Sequence, residues 1–277
     1  MKIAILGATS YIAKDLIISF SSNLQVELDL FGRSPKKIRQ WLELYSLEKI
    51  YSVFTYNDFN ELIIYDAIIN FVGVGNPTKA LEMGVSIYGI TRYYDDLVLD
   101  YLEKNPSTKY IFLSSGAVYG RNFKEPVDSN SEASVEINTV TNNEWYSKAK
   151  LCAEIRHRSQ SMHNIIDLRV FNYFSSNIDL TAGYFISELL KCISNHKIFY
   201  TTPTNIYRDY LHREDFFQLI NCILYSKKNM NLSLDCYSQA PVDKITLLNI
   251  MQNKFGLCYS YIDDEVNNII NLKKCYY

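Results

Sequence analysis

Lys2-Ile3-Ala4-Ile5-Leu6-Gly7-Ala8-Thr9-Ser10-Tyr11-Ile12-Ala13 opens the chain with an apolar run, a turn built on a single glycine, and the start of a helical pattern over residues 12–21. A buried strand that turns directly into a helix collects unpaired backbone N–H groups and the positive end of the helix dipole at one point, where a pyrophosphate can be received. A complete G-x-x-G-x-x-G would need glycine at 7, 10 and 13, and the chain keeps Gly7 with Ser10 and Ala13 in the other two places. Alanine at the third place still allows close helix packing, whereas Ser10 puts a side chain where the backbone should approach phosphate. Taken alone, the stretch also reads as a plain tight turn.

The same alternation continues outward. Strand patterns over residues 25–31, 51–55, 67–72, 110–113 and 165–170 alternate with helix patterns over 36–45, 81–102 and 145–162. The 67–72 run is continuously apolar, as a strand covered on both faces is. Strand and helix in strict alternation predict an α/β fold, a parallel sheet wrapped by helices on both faces. Beyond about residue 172 the rhythm changes to helix patterns at 183–194, 215–225 and 247–255 among Thr-, Asn- and Pro-containing connections. Residues 1–171 are therefore read as a nucleotide-binding unit, to which parts of 205–228 return, and residues 172–277 as a smaller lobe. Residues 273–277 read as a loose end.

Composition narrows the function classes. The 277 residues are 48% hydrophobic and 21% charged, an ordinary globular balance. Lys and Arg total 28 against 30 Asp and Glu, a net charge of -2 that offers no field for a nucleic-acid backbone. Cys152, Cys192, Cys222, Cys236, Cys258 and Cys275 form no C-x-x-C pair and meet no clustered histidines, so neither a metal site nor a disulfide framework is expected. The opening apolar run is cut short at Gly7–Ser10 and followed by Lys14 and Asp15, unlike a signal peptide, and no apolar run reaches membrane-spanning length. A soluble protein of the reducing cytoplasm is expected.

Three further groups carry chemistry. Arg33 and Ser34, followed by Lys36 and Lys37, stand at the end of the second strand, where an NAD site normally has an acid for the ribose 2′-hydroxyl. A guanidinium beside a hydroxyl suits a 2′-phosphate instead, so NADP(H) is favoured over NAD(H); a solvated basic loop is the alternative. Asp58, after the third strand, is a candidate acceptor for the adenine amino group or an exposed turn residue. Ser115 ends the fifth strand, and Tyr146 and Lys150 lie four apart on the next helix, hence on one face. An ammonium beside a phenol stabilises its phenolate and lowers a pKa that is ordinarily near ~10 toward that of a working acid or base. Ser115 would orient a carbonyl.

Gly7-Ala8-Thr9, Phe112-Leu113-Ser114-Ser115-Gly116-Ala117-Val118-Tyr119-Gly120 and Tyr146-Ser147-Lys148-Ala149-Lys150 resemble, in order and spacing, the signatures of extended short-chain dehydrogenase/reductases of the nucleotide-sugar epimerase/dehydratase group. The resemblance continues through Leu168-Arg169-Val170-Phe171-Asn172, Arg208-Asp209-Tyr210-Leu211-His212 and residues 240–247. It implies a Rossmann, doubly wound parallel sheet with a smaller C-terminal substrate-binding lobe for a nucleotide-diphosphate sugar. It also implies that Tyr146 is the acid/base, that Lys150 holds the nicotinamide ribose, and that Ser115 positions the reacting oxygen. Gly7, Thr9, Ser10, Tyr11, Ile12, Asp58, Phe71, Val72 and Phe171 then line the cofactor, and Asn172 and Arg208 contact the diphosphate. A homodimer through the Tyr146 helix follows from the same likeness.

Within that group, dehydratases carry carboxylates directly after the catalytic hydroxyl, and the enzymes that epimerise beside the ketone carry a cysteine there; this chain has Gly116-Ala117. Hydride transfer at one carbon is what remains. Arg33 favours net reduction of a nucleotide-linked 4-keto-6-deoxyhexose with NADPH, for a surface polysaccharide, over a 4-epimerase that recycles bound NAD. A non-catalytic NADP-sensing regulator is the rival from another class, and the retained Ser115, Tyr146 and Lys150 speak against it.

Overall fold

The computed structural model describes residues 1–120, 126–128 and 130–262; the expected loose end at 273–277 and Cys275 lie outside these. In chain order the elements are β1 (Lys2–Leu6), α1 (Tyr11–Phe20), β2 (Glu27–Phe31), α2 (Pro35–Leu44), β3 (Ser52–Phe54), β4 (Ala67–Asn70), α3 (Pro77–Met83), α4 (Ser86–Lys104), β5 (Lys109–Ser115), α5 (Trp145–Ser159) and β6 (Ile165–Val170). There follow β7 (Tyr173–Phe174), α6 (Phe185–Ser194), β8 (Phe199–Thr201), β9 (Tyr207–Arg208), β10 (Leu211–His212), α7 (Arg213–Tyr225), β11 (Asn231–Cys236), β12 (Val242–Asp243), α8 (Lys244–Phe255) and β13 (Tyr259–Tyr261).

Seven strands pair in the order β11-β6-β5-β4-β1-β2-β3, every pair parallel. Strand order reverses beside β1, between β2 and β4, so the crevice at the carboxyl ends of β1 and β4 is where such a sheet takes its ligand. Alternation along β1 divides the core: Ile3 and Ile5 face one layer with Leu16, Ile17 and Phe216, while Ala4 and Leu6 face the other with Val98, Leu102 and Phe112. A separate apolar cluster, with Ile186, Leu189, Leu248 and Met251, holds the lobe around α6 and α8.

Two expectations are corrected. The single helix over 81–102 is two helices, because Asn76 caps α3 through Lys79 N–H, Pro77 starts it, and Gly84 at φ 50° ends it before α4 begins. The lobe is also smaller than residues 172–277, because the return to the sheet ends later than 205–228. α7 packs on α1, and β11 pairs with β6 from Asn231 to Cys236, so 213–236 lie with the Rossmann sheet. Lys109 of β5 fastens that return by donating to the carbonyls of Ile223, Leu224 and Ser226 at 2.5, 2.9 and 3.1 Å, at the C-terminal end of α7. No helix among the described residues is long and apolar enough to cross a membrane.

Candidate active site

The turn between β1 and α1 is set by Gly7, at φ 79°, where a Cβ would lie 2.8 Å from the Phe71 carbonyl carbon and 2.9 Å from the Val72 nitrogen. Only glycine lets the ends of β1 and β4 come this close. The first helical bond of α1 runs from Lys14 N–H to Ser10 O, so the N–H groups of Tyr11, Ile12 and Ala13 are left to face outward from the helix start. Ser10 occupies the N-cap without a side-chain capping bond, which leaves its hydroxyl available to a ligand, and Thr9 is exposed beside it. Ala13 is fully buried, as the third place requires.

At the tip of β2, Arg33 is exposed and Ser34 caps α2 without spending its hydroxyl on the helix. Tyr56 lies against the Gly7 backbone and within reach of the Arg33 charge, and burial pushes its phenol up to about 12. Asp58 is exposed and its Oδ2 is committed to Thr55, 2.8 Å from the backbone N–H and 2.7 Å from the hydroxyl; it closes its own turn. The exposed Arg33, the helix start and the glycine cradle fit the phosphates of a dinucleotide.

Ser115 ends β5, its Oγ accepting from Ala117 N–H at 3.2 Å as the chain turns into a 3₁₀ segment, Gly116–Tyr119. Tyr146 and Lys150 lie one turn apart at the start of α5. Burial raises the Tyr146 phenol, and a hydrogen bond with Ser115 pulls it back. Lys150 is buried at 3% exposure, donates to Leu113 O at 2.7 Å and sits 4.2 Å over the Phe112 ring. The i,i+4 geometry expected from the spacing holds, and a strand carbonyl takes one hydrogen of the ammonium. Burial lowers the Lys150 amine to about 8, against the pull of Asp95, Asp167 and Glu154. A Cβ on Gly73 would lie 3.4 Å from Lys150 Nζ, so the loop after β4 passes directly over the amine.

Phe171 follows β6, and a Cβ at Gly116 would meet its ring at 2.3 Å. Phe171 stacks in turn on Tyr237, with centroids 5.2 Å apart and planes at 21°. Asn172 donates to Asp209 O at 2.9 Å, tying the end of β6 to the segment before β10. Asp209 is taken by Ser238, whose N–H and hydroxyl donate at 2.8 and 2.9 Å. Arg208, 7% exposed, therefore forms no ion pair with Asp209 or Glu214 among the described residues. Its guanidinium lies 4.7 Å from the Phe185 ring centroid, and its Nε and Nη2 are buried without a hydrogen-bond partner among those residues. A buried cation with two idle donors is costly unless an anion completes it.

Sequence reasoning missed Tyr184, which comes from the lobe and hydrogen-bonds Tyr11. Its hydroxyl and the Tyr11 ring lie 3.6 and 3.8 Å from the position of a Cβ on Gly75. The glycines of Val72-Gly73-Val74-Gly75 were the available signal, since they mark close approach after a strand.

A family model described as the NAD dependent epimerase/dehydratase family matches residues 3–233. No curated protein matches the chain in sequence. Among solved structures, a UDP-Glc/GlcNAc 4-epimerase from Campylobacter jejuni is similar at 18% identity and TM-score 0.76, covering 96% of this chain and 92% of that one. A UDP-glucuronic acid 4-epimerase from Bacillus cereus in complex with NAD is similar at 14% and 0.75, covering 94% and 87%. A dTDP-glucose 4,6-dehydratase from Bacillus anthracis in complex with NAD is similar at 13% and 0.72, covering 100% and 92%.

Proposed function

The chain belongs to the NAD dependent epimerase/dehydratase family, and from that premise we propose that it reduces a nucleotide-linked 4-keto-6-deoxyhexose at the expense of NADPH. Arg33 carries this reading: an exposed guanidinium, with no acid at the tip of β2, stands where the 2′ position of the adenosine ribose is recognised. Net reduction needs fresh reductant each turn, and a 2′-phosphate contact selects the phosphorylated pool.

Gly7, Thr9, Ser10, Tyr11, Ile12, Phe71 and Val72 would hold the dinucleotide, Arg33 and Ser34 its 2′-phosphate, and Lys150 its nicotinamide ribose, with Phe171 at the far wall. When bound, that group supplies a hydride. Everything else falls to the chain: Ser115 and Tyr146 hold the carbonyl oxygen, and Tyr146 gives it a proton as the carbonyl carbon is reduced to the carbinol. The phenolate left behind is returned to phenol by a proton from solvent, so one proton is consumed per turnover. Burial that keeps Tyr146 protonated suits the role of acid. Arg208, with its idle donors, and Asn172 serve the diphosphate. Phe171 pressed on Gly116 leaves no room there for the carboxylate that dehydration uses. A homodimer through α5 and a cytoplasmic site, supplying deoxysugar for a surface polysaccharide, complete the proposal.

A second reading, a 4-epimerase recycling NAD, is favoured by the NAD held in the Bacillus cereus and Bacillus anthracis structures. One substitution separates the two. Arg33→Asp is expected to weaken NADPH binding by about 10- to 100-fold, the worth of a charge-assisted phosphate contact, and to leave NADH binding unchanged or better. Isothermal titration of both dinucleotides reads this, and equal affinity of the unsubstituted protein for NADH and NADPH favours the epimerase.

A further inference from the structure

Behind the reacting side chains, on the α4–α5 face of the sheet, lies a buried ion array that the proposed chemistry does not use. His157 of α5 is fully buried between two carboxylates, with Nδ1 2.6 Å from Asp167 Oδ1 and Nε2 2.8 Å from Asp95 Oδ1. An ionised carboxylate only accepts, so both ring nitrogens must carry hydrogen and the ring is an imidazolium. Burial works against that charge, but the hydrogen bonds and charges of Asp167 and Asp95 outweigh it and push the ring up to about 9. Arg156 takes the other oxygen of Asp95 at 3.1 Å and also reaches Asp96; Arg158 takes the other oxygen of Asp167 at 2.6 Å. Ser233 of β11 donates to Asp167 at 3.3 Å and to Glu154 at 3.0 Å.

Two lines run from this centre to the candidate site. Along the first, Tyr110 of β5 donates to Asp95 Oδ1 at 2.9 Å and accepts from Asn70 Nδ2 at 3.0 Å, while Asn70 Oδ1 accepts from Val72 N–H at 2.9 Å. Val72 begins the loop that passes over Lys150. Along the second, the His157 ring meets Phe112 edge-on at 5.1 Å, and Lys150 Nζ sits over that same Phe112 ring. The charged groups acting on Lys150 are Asp95 from α4, Asp167 from β6 and Glu154 from its own helix, and β5 supplies the Leu113 carbonyl.

We propose that Asp95, His157 and Asp167 are positioning residues of this site, a buried ion array that keeps the Lys150 ammonium over Phe112 and the Val72–Gly75 loop in place for the dinucleotide. The assignment of Lys150 to the dinucleotide rests on the function proposed above. An uncharged spacer of the same shape would fill the core equally well; what the array adds is the pull of the Asp95 and Asp167 carboxylates on a buried amine, and a hydrogen-bonded link to one backbone N–H of the cofactor loop.

The first measurement needs neither substrate nor dinucleotide. In protein carrying ¹³C-lysine, the Cε resonance of Lys150 reports the titration of its amine. Asp95→Asn keeps an acceptor for Tyr110 and removes a charge, and it should lower the Lys150 midpoint by about half a pH unit or more. An unchanged midpoint overturns the proposal. Should Asp95→Asn not fold, Tyr110→Phe cuts the link to Asn70 and leaves both carboxylates and the imidazolium in place. It should speed hydrogen exchange at Val72 N–H and raise the KM for NADPH several-fold with kcat unmoved; exchange at the unsubstituted rate overturns the proposal. A shifted Lys150 midpoint in a protein that leaves NADPH unoxidised whichever keto-sugar is offered leaves the array standing and removes the reductase. Turnover with an unshifted midpoint does the reverse.

Discussion

Tyr146→Phe is expected to cut keto-sugar reduction by about a thousandfold, the usual worth of a positioned general acid, while dinucleotide and nucleoside-diphosphate affinities stay within about twofold. The substitution removes one oxygen from a side chain whose ring is held by the α5 backbone and whose hydroxyl is hydrogen-bonded to Ser115. Binding should survive, because the groups assigned to hold each end of the substrates, Arg33 and Arg208, are on other elements. Steady-state rates of NADPH oxidation, with binding measured separately by calorimetry, check the separation. A variant that turns over undiminished removes Tyr146 from the chemistry; one that loses binding in proportion shows a structural residue instead.

Arg208→Met should produce the second large change. Arg208 brings a buried charge whose Nε and Nη2 have no partner among the described residues. A charge-assisted, bidentate diphosphate contact is worth roughly 1.5–3 kcal/mol, so affinity for a nucleoside diphosphate should fall by about 10- to 100-fold. In the free protein the same substitution removes a desolvated cation and keeps an unbranched apolar stem over Phe185. Its melting temperature without ligand should therefore hold or rise, as replacing unpaired buried charge by apolar volume does. The opposite signs distinguish a binding residue from a structural one. If Arg208→Met melts lower and binds a nucleoside diphosphate unchanged, the guanidinium serves the fold.

Much of this was legible in the sequence where local chemistry decides structure. Strand, single-glycine turn and helix at residues 2–20 need only a short apolar run and a residue that tolerates φ 79°. The i,i+4 spacing of Tyr146 and Lys150 survives because any regular helix puts them on one side. What tertiary contact decides was not legible. The apolar pattern of 81–102 runs through Gly84 without a break, and only the left-handed backbone there divides α3 from α4. β11 reads Asn-Leu-Ser-Leu-Asp-Cys, half-buried for most of its length, and nothing in that pattern distinguishes a Rossmann edge strand from a strand of the lobe. Arg208 has Asp209 beside it in sequence, but Ser238 has already taken that carboxylate. The partner of Lys150 is a strand carbonyl, and a sequence does not say which backbone oxygen a lysine will reach. Asp95 and Asp167 stand 62 and 10 residues from His157, and only the packing of α4 and α5 on the sheet brings them together.

Transfer of label decides the central claim most directly. NADPH deuterated at C4 on the transferring face, incubated with the protein and a nucleotide-linked 4-keto-6-deoxyhexose, should place deuterium on C4 of the sugar in step with NADP⁺ formation, one for one. A sugar that returns unlabelled with NADPH intact, or a 4-hydroxy sugar nucleotide inverted with no net consumption of reductant, would contradict it.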